Sequence, residues 1–351
     1  MFEKHPDHFS FDWFQLDRVW HPALETWHFE DERFASKGVI SFTGGQAIGG
    51  KRWIDETIFD NSLCTVSGLA LAMADKAIAM ELYMLDGVKA FTYSGKKTRD
   101  RLLRWGDMVQ FWKGRLLTSI DVGTNADDMK IVGERTEFVT SNNPSPDTAE
   151  GLFGTICEVA KWRGKSLQGL SVLVTGACGG VGSEVVRMLC AMGVKVYGKD
   201  TTKDRAKIEA MEKIGVEFIL DDHFPHVDIY APCAIGGILN ARTIPLLKEA
   251  GIWAVIGCAN CQLEDGDKDA MRLHEAGILY AVDYFANGGG LLSAAQNLRL
   301  INDAEARIKR IGVTVVDIME MSLSGNQNLP TTVVARNLLI KRKQARILTA
   351  A

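Results

Sequence analysis

The sequence predicts an α/β protein of two domains, a mixed α/β domain at the amino terminus and a doubly wound parallel sheet at the carboxyl terminus. The chain has 351 residues, and a single hydrophobic core usually stops growing at about 250 to 300 residues. Beyond residue 170, short runs rich in β-branched residues alternate with helical patterns, which is typical of parallel strands connected by helices. Length and alternation together favour two cores over one.

The amino-terminal part mixes both element types. A strand is predicted at 39–42, and it leads into a glycine-dense loop at 43–50 where the backbone can approach a neighbouring group closely. Apolar residues at helical spacing predict a helix at 64–85 and a second one at 99–111. A short strand follows at 117–120. This order indicates a mixed α/β domain.

A polar, proline-containing segment at 141–147 separates the two domains. The boundary is placed after residue 145, and either Asp147 or Thr148 is expected to cap the helix that follows. The domains are then 1–145 and 146–325, and the helical residues 326–351 are able to fold back on the first domain. The elements predicted beyond the linker are strands at 171–175, 194–198, 216–220, 227–231, 252–256 and 278–281, and helices at 181–192, 203–214, 303–321 and 331–347.

The composition is that of an ordinary globular enzyme, with 46% hydrophobic residues, 24% charged residues and a net charge of -4. The seven cysteines are scattered and odd in number, which indicates a reducing compartment rather than a disulfide framework. No apolar run at the amino terminus marks an export signal, and charged residues interrupt the most apolar stretch, 69–85. We expect a soluble, cytoplasmic protein without nucleic-acid or membrane partners.

A glycine-rich loop joins the predicted strand 171–175 to the helix 181–192. Glycine allows a tight turn and lets backbone amides approach a pyrophosphate, while the amino terminus of the helix contributes partial positive charge. Strand, glycines and helix in this order predict a Rossmann-type dinucleotide site. The loop residues expected to contact the cofactor are Gly176, Gly179, Gly180, Val181 and Gly182.

An acidic residue follows the next predicted strand, 194–198. Asp200 lies 18 residues after Gly182, where a carboxylate accepts hydrogen bonds from ribose hydroxyls and repels a 2′-phosphate. Asp200 therefore favours NAD over NADP as the cofactor. The neighbouring Lys199 can tolerate a phosphate, so NADP stays open as an alternative.

Four segments carry a resemblance to a known family. They are Asp121-Val122-Gly123-Thr124-Asn125-Ala126-Asp127-Asp128-Met129, Asn143-Pro144-Ser145-Pro146-Asp147-Thr148-Ala149, Ala231-Pro232-Cys233-Ala234-Ile235-Gly236-Gly237-Ile238-Leu239-Asn240 and Tyr280-Ala281-Val282-Asp283-Tyr284-Phe285-Ala286-Asn287-Gly288-Gly289. Together they resemble the glutamate/leucine/phenylalanine/valine dehydrogenase family, the leucine and phenylalanine enzymes in particular. The resemblance implies an amino-terminal substrate domain, a carboxyl-terminal NAD domain, an active site in the cleft between them, and a homo-oligomer assembled through the first domain.

The resemblance also implies roles for three ionisable residues. Lys76 matches the lysine that holds the substrate carboxylate, Lys89 matches the lysine that activates water, and Asp121 matches the aspartate that handles protons at the amine. Physically, a lysine in a closed, cation-rich cleft has its pKa lowered by desolvation and like charge until it can act as a base. The implied reaction is reversible oxidative deamination of an amino acid to a 2-oxo acid and ammonia.

Further positions match the family's binding residues. Gly49 and Gly50 match a glycine pair whose backbone approaches the substrate, although a plain turn explains them equally well. For Asn260 and Asn287, local hydrogen bonds within a loop are an alternative to ligand contact. The side-chain pocket positions are Ile48, Met73, Leu291 and Ala294, whose apolar character favours an apolar or aromatic substrate. The positions near the nicotinamide and ribose are Thr148, Cys233, Ala234, Asn260 and Asn287.

The sequence departs from the family pattern beside Lys89. A glycine-rich approach is replaced by Leu85-Asp86-Gly87-Val88, and Lys89 follows Lys76 by 13 residues, one more than usual. The bulky residues 80–84 are expected where the substrate backbone normally lies. Cys261 replaces the second asparagine of an Asn-Asn pair.

No metal site is predicted. Cys258 and Cys261 have the spacing of a metal-binding pair, but no second pair accompanies them. Four histidines lie in the amino-terminal segment, where solvated or packing roles are expected: His5, His8, His21 and His28.

Three hypotheses about function follow. The leading one is an NAD-dependent dehydrogenase of an apolar or aromatic L-amino acid, whose small-molecule partners are the amino acid or the 2-oxo acid plus ammonia. The second keeps NAD but moves the chemistry to a non-standard amino acid or an imine, because the approach to Lys89 is altered. The third is a non-catalytic relative that binds a nucleotide, which the retained Asp121 disfavours.

Overall fold

The structure is a computed structural model that describes residues 8–10, 15–19, 24–31, 36–54, 62–92, 96–220, 223–324 and 328–350. These residues form two compact units. The first comprises Met1–Asn143 with Ala294–Asn302, and the second comprises Pro144–Ser293 with Asp303–Ala351. The expectations for His5, His21 and the side chain of His8 lie outside the described residues.

The first unit contains a seven-stranded mixed sheet. Its strands are β1 (His8–Ser10), β2 (Gln15–Val19), β3 (Glu25–Asp31), β4 (Ser36–Phe42), β5 (Ala47–Trp53), β6 (Asp86–Thr92) and β7 (Leu116–Ile120), in the order β1-β2-β3-β4-β6-β5-β7. Strands β1 to β4 are antiparallel to their neighbours along this order, so that β6 is antiparallel to β4. Strand β5, in contrast, is parallel to both β6 and β7. The carboxyl ends of β5, β6 and β7 therefore share one edge of the sheet.

Helices cover both faces of this sheet, namely α1 (Ser62–Ala79), α2 (Arg99–Phe111) and α3 (Ala126–Gly133). Consecutive strand residues point to opposite faces. Val39 accordingly packs with Val66 and Leu69 of α1, whereas the neighbouring Ile40 joins the cluster around Trp105 and Trp112 on the α2 side. The predicted helix at 99–111 is confirmed. The sequence analysis did not predict the strands β1 to β3.

Two local predictions in this unit were wrong. Residues 47–50, predicted as loop, lie inside β5, so that Gly49 and Gly50 are strand residues rather than parts of a plain turn. The helix predicted at 64–85 ends at Ala79. Glycine density indicates a turn on local propensity alone, but pairing on both sides of β5 overrides that propensity.

The second unit is a doubly wound parallel sheet, as predicted. Its strands are β8 (Ser171–Thr175), β9 (Lys195–Lys199), β10 (Glu217–Phe218), β11 (Ile229–Pro232), β12 (Ala254–Val255) and β13 (Leu279–Tyr280), in the order β10-β9-β8-β11-β12-β13. All pairs in this sheet are parallel. Counted from the first strand, the order is 3-2-1-4-5-6, the Rossmann order, and β8 and β11 flank the switch point at which such sheets bind ligands.

The remaining helices are α4 (Ser145–Trp162), α5 (Gly180–Ala191), α6 (Arg205–Glu212), α7 (Thr243–Glu249), α8 (Gly266–Glu275), α9 (Asp283–Ala286), α10 (Gly289–Asn297), α11 (Ala304–Leu323) and α12 (Thr331–Ala350). Helix α4 packs along both α11 and α5. The apolar face of α4 therefore supplies much of the packing between the helices of this unit.

Three predictions about this part of the chain need correction. Neither Asp147 nor Thr148 caps α4, because the helix begins earlier, with Pro144 at the cap position and no side-chain cap. Helix α12, which the sequence analysis allowed to fold back on the first domain, packs against α8, α11 and β13 and belongs to the second unit. The structure divides the chain after Asn143 and places Ala294–Asn302 in the first unit, whereas the sequence analysis assigned all of 146–325 to the second.

A buried lysine lies on the α2 side of the first sheet. The Lys51 ammonium donates a hydrogen bond to Thr92 Oγ1 at 2.5 Å and lies 3.9 Å above the ring of Trp105. Burial holds the pKa of Lys51 well below its usual value of 10.5. Because the unfolded chain binds this proton more readily, the free energy of unfolding increases as pH rises through the window between the folded and unfolded pKa values.

Replacing Lys51 by methionine is expected to remove this proton linkage. The Lys51→Met variant should unfold at higher denaturant concentration than wild type at neutral pH, and its stability should rise less as pH approaches 10.5. Urea unfolding across this pH range is the measurement, with the exposed Lys248→Met as the matched control. Equal pH slopes in Lys51→Met and wild type would contradict the assignment.

Candidate active site

A buried ion pair lies at the carboxyl edge of the first sheet. Lys89 is on β6, and Asp121 is the first residue after β7. The Lys89 Nζ donates a hydrogen bond to Asp121 Oδ2, and the two side chains are only 2% and 14% exposed. The fold thus brings together two of the three ionisable residues singled out in the sequence.

Gly50 explains how these two side chains meet across the intervening strand β5. A Cβ atom at Gly50 would lie 2.5 Å from Asp121 Cβ and 2.7 Å from Asp121 Oδ2, so the aspartate rests directly on the glycine backbone. Gly49, which faces the other way, has a different reason: its Cβ would lie 1.8 Å from the carbonyl oxygen of Val88. Both glycines are therefore required by close approach rather than by a turn.

Asp121 is held in its ionised form. Its Oδ1 accepts hydrogen bonds from Arg52 Nε at 3.1 Å and from the backbone N–H of Val122 at 2.7 Å. Burial alone raises the pKa of Asp121, but the charges of Lys89 and Arg52 and the hydrogen bonds outweigh it and hold this pKa well below its usual range. The carboxylate is therefore ionised at neutral pH, which is the form that can accept a proton.

Lys89 is poised for proton transfer. Burial lowers the pKa of Lys89 from 10.5 to about 8; the Asp121 carboxylate opposes this change, whereas the charges of Arg52 and Lys76 add to it. A lysine with this pKa is partly neutral just above neutral pH. It can then accept a proton from a bound water and return it.

The other predicted substrate residues of this unit lie near the same face. Lys76 is buried on α1, and its charge reaches Lys89. Met73 is one helical turn before Lys76 and is half-buried, and Ile48 is buried two residues before Gly50 on β5. Alternation along β5 places Ile48 on the same side of the sheet as Gly50.

A turn connects α1, which carries Lys76, to β6, which carries Lys89. Helix α1 ends at Ala79, and Glu81 adopts a left-handed conformation with φ of 59° in the turn that follows. Met80 and Leu82 are buried in the core, and Met84 is exposed. Gly87 then lets α1 pack on β6, because a Cβ there would lie 2.1 Å from the carbonyl oxygen of Ala70. The expectation that residues 80–84 lie where the substrate backbone normally lies stays a prediction.

In the second unit, the glycine loop forms the tight turn expected between β8 and α5. Gly176 has a φ of 75°, a conformation that favours glycine. A Cβ at Gly182 would lie 2.1 Å from the carbonyl oxygen of Gly176, and one at Gly179 would lie 3.1 Å from it. Gly180 begins α5, followed by the half-buried Val181. These glycines thus let the loop backbone pack closely at the amino terminus of α5, where backbone N–H groups and partial positive charge suit a pyrophosphate.

Asp200 lies beside this loop, directly after β9. Its Oδ2 accepts a hydrogen bond from the backbone N–H of Cys178, and its Oδ1 accepts one from that of Thr202, both at 2.8 Å. The carboxylate therefore holds the backbone of the glycine loop through the Cys178 N–H. Each oxygen retains a second lone pair that can accept a hydrogen bond from a ribose hydroxyl.

The predicted nicotinamide residues fall into two groups within the second unit. A Cβ on Gly176 would lie 3.1 Å from the backbone of Cys233 and Ala234, which follow β11 at the switch point. Thr148 is buried in the first turn of α4, where its Oγ1 donates to the carbonyl oxygen of Pro144 at 2.8 Å and lies against Gly290. Cys233 and Ala234 therefore lie beside the glycine loop, and Thr148 lies beside the first turn of α10.

Asn287 connects the loop after β12 to the loop before α10. Its Nδ2 donates to Asn260 Oδ1 at 3.0 Å and to the carbonyl oxygen of Cys258 at 3.1 Å. Its Oδ1 is buried and has no hydrogen-bond partner among the described residues. The local hydrogen bonds considered in the sequence analysis therefore exist, but they satisfy only the donor side of Asn287. A buried orphan acceptor fits a bound ligand.

Leu291 and Ala294, the remaining pocket positions, are buried and lie three residues apart on α10. They therefore share one face of the helix. This helix crosses the division between the units after Ser293.

Two further residues were missed in the sequence. Arg52 contacts Asp121. The sequence feature that points to Arg52 is its position two residues after Gly50, which places both residues on the same face of β5. Asp283 accepts a hydrogen bond from the backbone N–H of Cys261 at 2.5 Å and thereby holds the loop that carries Asn260. No pattern in the sequence pointed to Asp283 over other acids.

The geometry of the described residues also bears on metal binding and membrane insertion. In the part of the chain that the structure describes, no three His, Cys, Asp or Glu side chains are grouped to hold a metal ion. No helix of that part is long and apolar enough to cross a membrane.

The chain is similar to known proteins in both sequence and structure. The sequence model of the Glutamate/Leucine/Phenylalanine/Valine dehydrogenase family matches residues 198–320. A leucine dehydrogenase of Bacillus cereus is 32% identical over 337 residues, which cover 89% of this chain and 88% of that protein. A phenylalanine dehydrogenase of Lysinibacillus sphaericus is 32% identical over 73% of this chain and 71% of its own length.

Among solved structures, L-tryptophan dehydrogenase from Nostoc punctiforme superposes with a TM-score of 0.71 at 29% identity, covering 92% of this chain and 97% of that one. The similarities to the leucine and L-tryptophan dehydrogenases extend over both units.

The close approach at Gly50 predicts a specific sensitivity to a methyl group. Gly50→Ala is expected to lower the free energy of unfolding by about 1–3 kcal/mol, because Asp121 must move off the strand. Gly68→Ala is the matched control: it lies in α1, no atom lies within 4 Å of the place that the new methyl group would take, and it should be neutral or stabilising by about 0.5–1 kcal/mol. Similar denaturant midpoints for the two variants would contradict this account of Gly50.

Proposed function

The chain belongs to the glutamate/leucine/phenylalanine/valine dehydrogenase family, and from this premise we propose that it catalyses NAD-dependent oxidative deamination of an apolar or aromatic L-amino acid. The products are the 2-oxo acid and ammonia, and the reaction is reversible. The observation that carries the proposal is the buried Lys89–Asp121 pair resting on Gly50, with Lys76 close enough to influence Lys89.

The three ionisable side chains divide the work of the reaction. Lys76, a compact cation, binds the substrate carboxylate and orients the Cα atom. Neutral Lys89 takes a proton from water, which then attacks the carbon of the substrate imine. Asp121 exchanges protons with the amine nitrogen, so that the C–N bond breaks, the nitrogen leaves as ammonia, and the oxygen supplied by water remains as the carbonyl of the 2-oxo acid.

NAD, when bound, supplies the acceptor for the hydride that leaves Cα. The residues present fit this cofactor for two reasons. The glycines at 176–182 allow a tight backbone turn at the amino terminus of α5, and Asn287 Oδ1 is a buried acceptor without a protein partner in the described structure. We propose that the loop glycines and Val181 hold the pyrophosphate and that Asp200 holds the ribose. The residues assigned to the nicotinamide side are Thr148, Cys233, Ala234, Asn260 and Asn287.

Asp200 also supports NAD over NADP. Its carboxylate is fixed by two backbone N–H groups next to the glycine loop, where it repels a 2′-phosphate. Lys199, the residue immediately before it, is half-buried. NADP is therefore the alternative cofactor to include in any assay.

The proposed substrate class rests on the four side-chain pocket positions. Ile48, Leu291 and Ala294 are buried and Met73 is half-buried, and none of the four carries a charge. Such positions favour an apolar or aromatic side chain over a carboxylate. The relatives named for leucine, phenylalanine and tryptophan support this class.

The two other hypotheses lose support. The altered approach to Lys89 motivated a non-standard amine or an imine as the substrate, but Lys89 is paired with Asp121 despite that altered approach. A non-catalytic nucleotide-binding role does not explain why two charges are buried together. We further propose that the enzyme works in the cytoplasm as a homo-oligomer, in line with the family resemblance.

The proposal is tested by substrate-dependent NADH formation with the standard L-amino acids at mildly alkaline pH. Leucine, phenylalanine or tryptophan is expected to be turned over, and Lys89→Ala should lower kcat by about 10²–10⁴-fold because the general base is lost. Lys248→Ala, an exposed lysine, should leave kcat unchanged. Absence of turnover across the panel, while NAD still binds, would rule out standard amino acids as substrates.

The dinucleotide site is tested separately by binding. Gly182→Ala is expected to weaken NAD binding by about tenfold or more, or about 1.4 kcal/mol, because its methyl group displaces the carbonyl of Gly176. Gly154→Ala in α4 is a control of the same kind, since no atom lies within 4 Å of the added Cβ. Calorimetric titration with NAD and NADP measures both variants. Equal affinities for the two variants would place the cofactor elsewhere.

A further inference from the structure

We propose that Arg52 is a positioning residue for the proposed reaction: it anchors one oxygen of the Asp121 carboxylate so that the other faces Lys89, and it keeps a second positive charge beside that lysine. The inference rests on the proposed function of Lys89 and Asp121. It adds a residue that neither the glycine pair nor the ionisable triad of the resemblance includes.

The two oxygens of the Asp121 carboxylate contact different cations. Arg52 Nε donates to Oδ1 at 3.1 Å, and Lys89 Nζ donates to Oδ2. Arg52 reaches Asp121 because it is two residues after Gly50 on β5 and therefore points to the same side of the sheet. The Val122 N–H also donates to Oδ1. Rotation of the carboxylate would therefore break its hydrogen bonds to Arg52, Val122 and Lys89.

The arginine is itself held in place. Its guanidinium lies over the ring of Phe91, 5.5 Å from the centroid, and Phe91 is its register partner on β6. Such a cation–π contact fixes the plane of the guanidinium. Across the described residues, Asp121 is the only hydrogen-bond acceptor that Arg52 reaches, and the side chain is 20% exposed. In that part of the structure the guanidinium is therefore directed at Asp121.

The consequence is electrostatic. The charged groups facing Lys89 are Asp121 after β7, Arg52 on β5 and Lys76 on α1. Asp121 raises the pKa of Lys89, whereas Arg52 and Lys76 lower it. Arg52 thus offsets the carboxylate that would otherwise keep Lys89 protonated, while leaving that carboxylate ionised and oriented. The neutral lysine that the reaction requires is then available near pH 8.

The test measures the Lys89 amine directly, without catalysis. Protein with isotope-labelled lysine is titrated by NMR, and the Lys89 signal is assigned by its loss in Lys89→Met. In Arg52→Gln the midpoint of the Lys89 titration is expected to rise by about one pH unit, as expected when a neighbouring charge is removed. Arg52→Lys retains a positive charge and should return the midpoint towards the wild-type value. The pH at which kcat falls on the acid side should shift in the same direction: it should be highest in Arg52→Gln and closer to the wild-type value in Arg52→Lys.

Arg99→Gln, which breaks an exposed ion pair with Glu134, serves as the control for loss of an arginine, and Arg52→Lys provides a folded comparison if Arg52→Gln is unstable. An unchanged Lys89 midpoint in Arg52→Gln would overturn the proposal, and so would a rise in KM for the amino acid with kcat and its pH limb unchanged. A shifted midpoint in a protein that oxidises no amino acid would support the role of Arg52 while refuting the proposed function.

Discussion

The burial of Lys89 next to Asp121 is the constraint on which the rest of the site depends. Removing one charge from water is costly, and an ion pair offsets this cost only when its geometry and remaining hydrogen bonds are good. Here Arg52 and the Val122 N–H occupy the second carboxylate oxygen, and Gly50 leaves the space in which the carboxylate lies. The same desolvation lowers the pKa of Lys89 to about 8, so the feature that is hardest to stabilise also supplies the reactive group.

Glycine serves the same purpose in both units, which is to let polar groups approach where a side chain would stand. Under Asp121, Gly50 removes a Cβ from the surface of a strand. In the second unit, Gly182 makes room for the carbonyl of Gly176, and Asp200 then ties the loop down through the N–H of Cys178. The positions of these glycines are set by the group that lies against them rather than by turn propensity.

The sequence predicted the second unit better than the first, for a physical reason. Parallel strands alternating with helices leave a strong local pattern, and the glycine loop of that unit sits between a strand and a helix that are both evident in the sequence. In the first unit, Gly49 and Gly50 lie within a strand against local propensity, and the helix end at Ala79 follows from tertiary packing. Arg52 could not be assigned because its partner, Asp121, is 69 residues away in the chain.

The most direct test of the account is the titration of the Lys89 amine in wild type and in Asp121→Asn, followed by NMR of labelled lysine. The account predicts a wild-type midpoint at about 8 and a lower midpoint in Asp121→Asn, since the carboxylate is the group that raises the pKa of Lys89. A midpoint near the ordinary value of 10.5 in both proteins would contradict it, because Lys89 would then be neither desolvated nor coupled to Asp121.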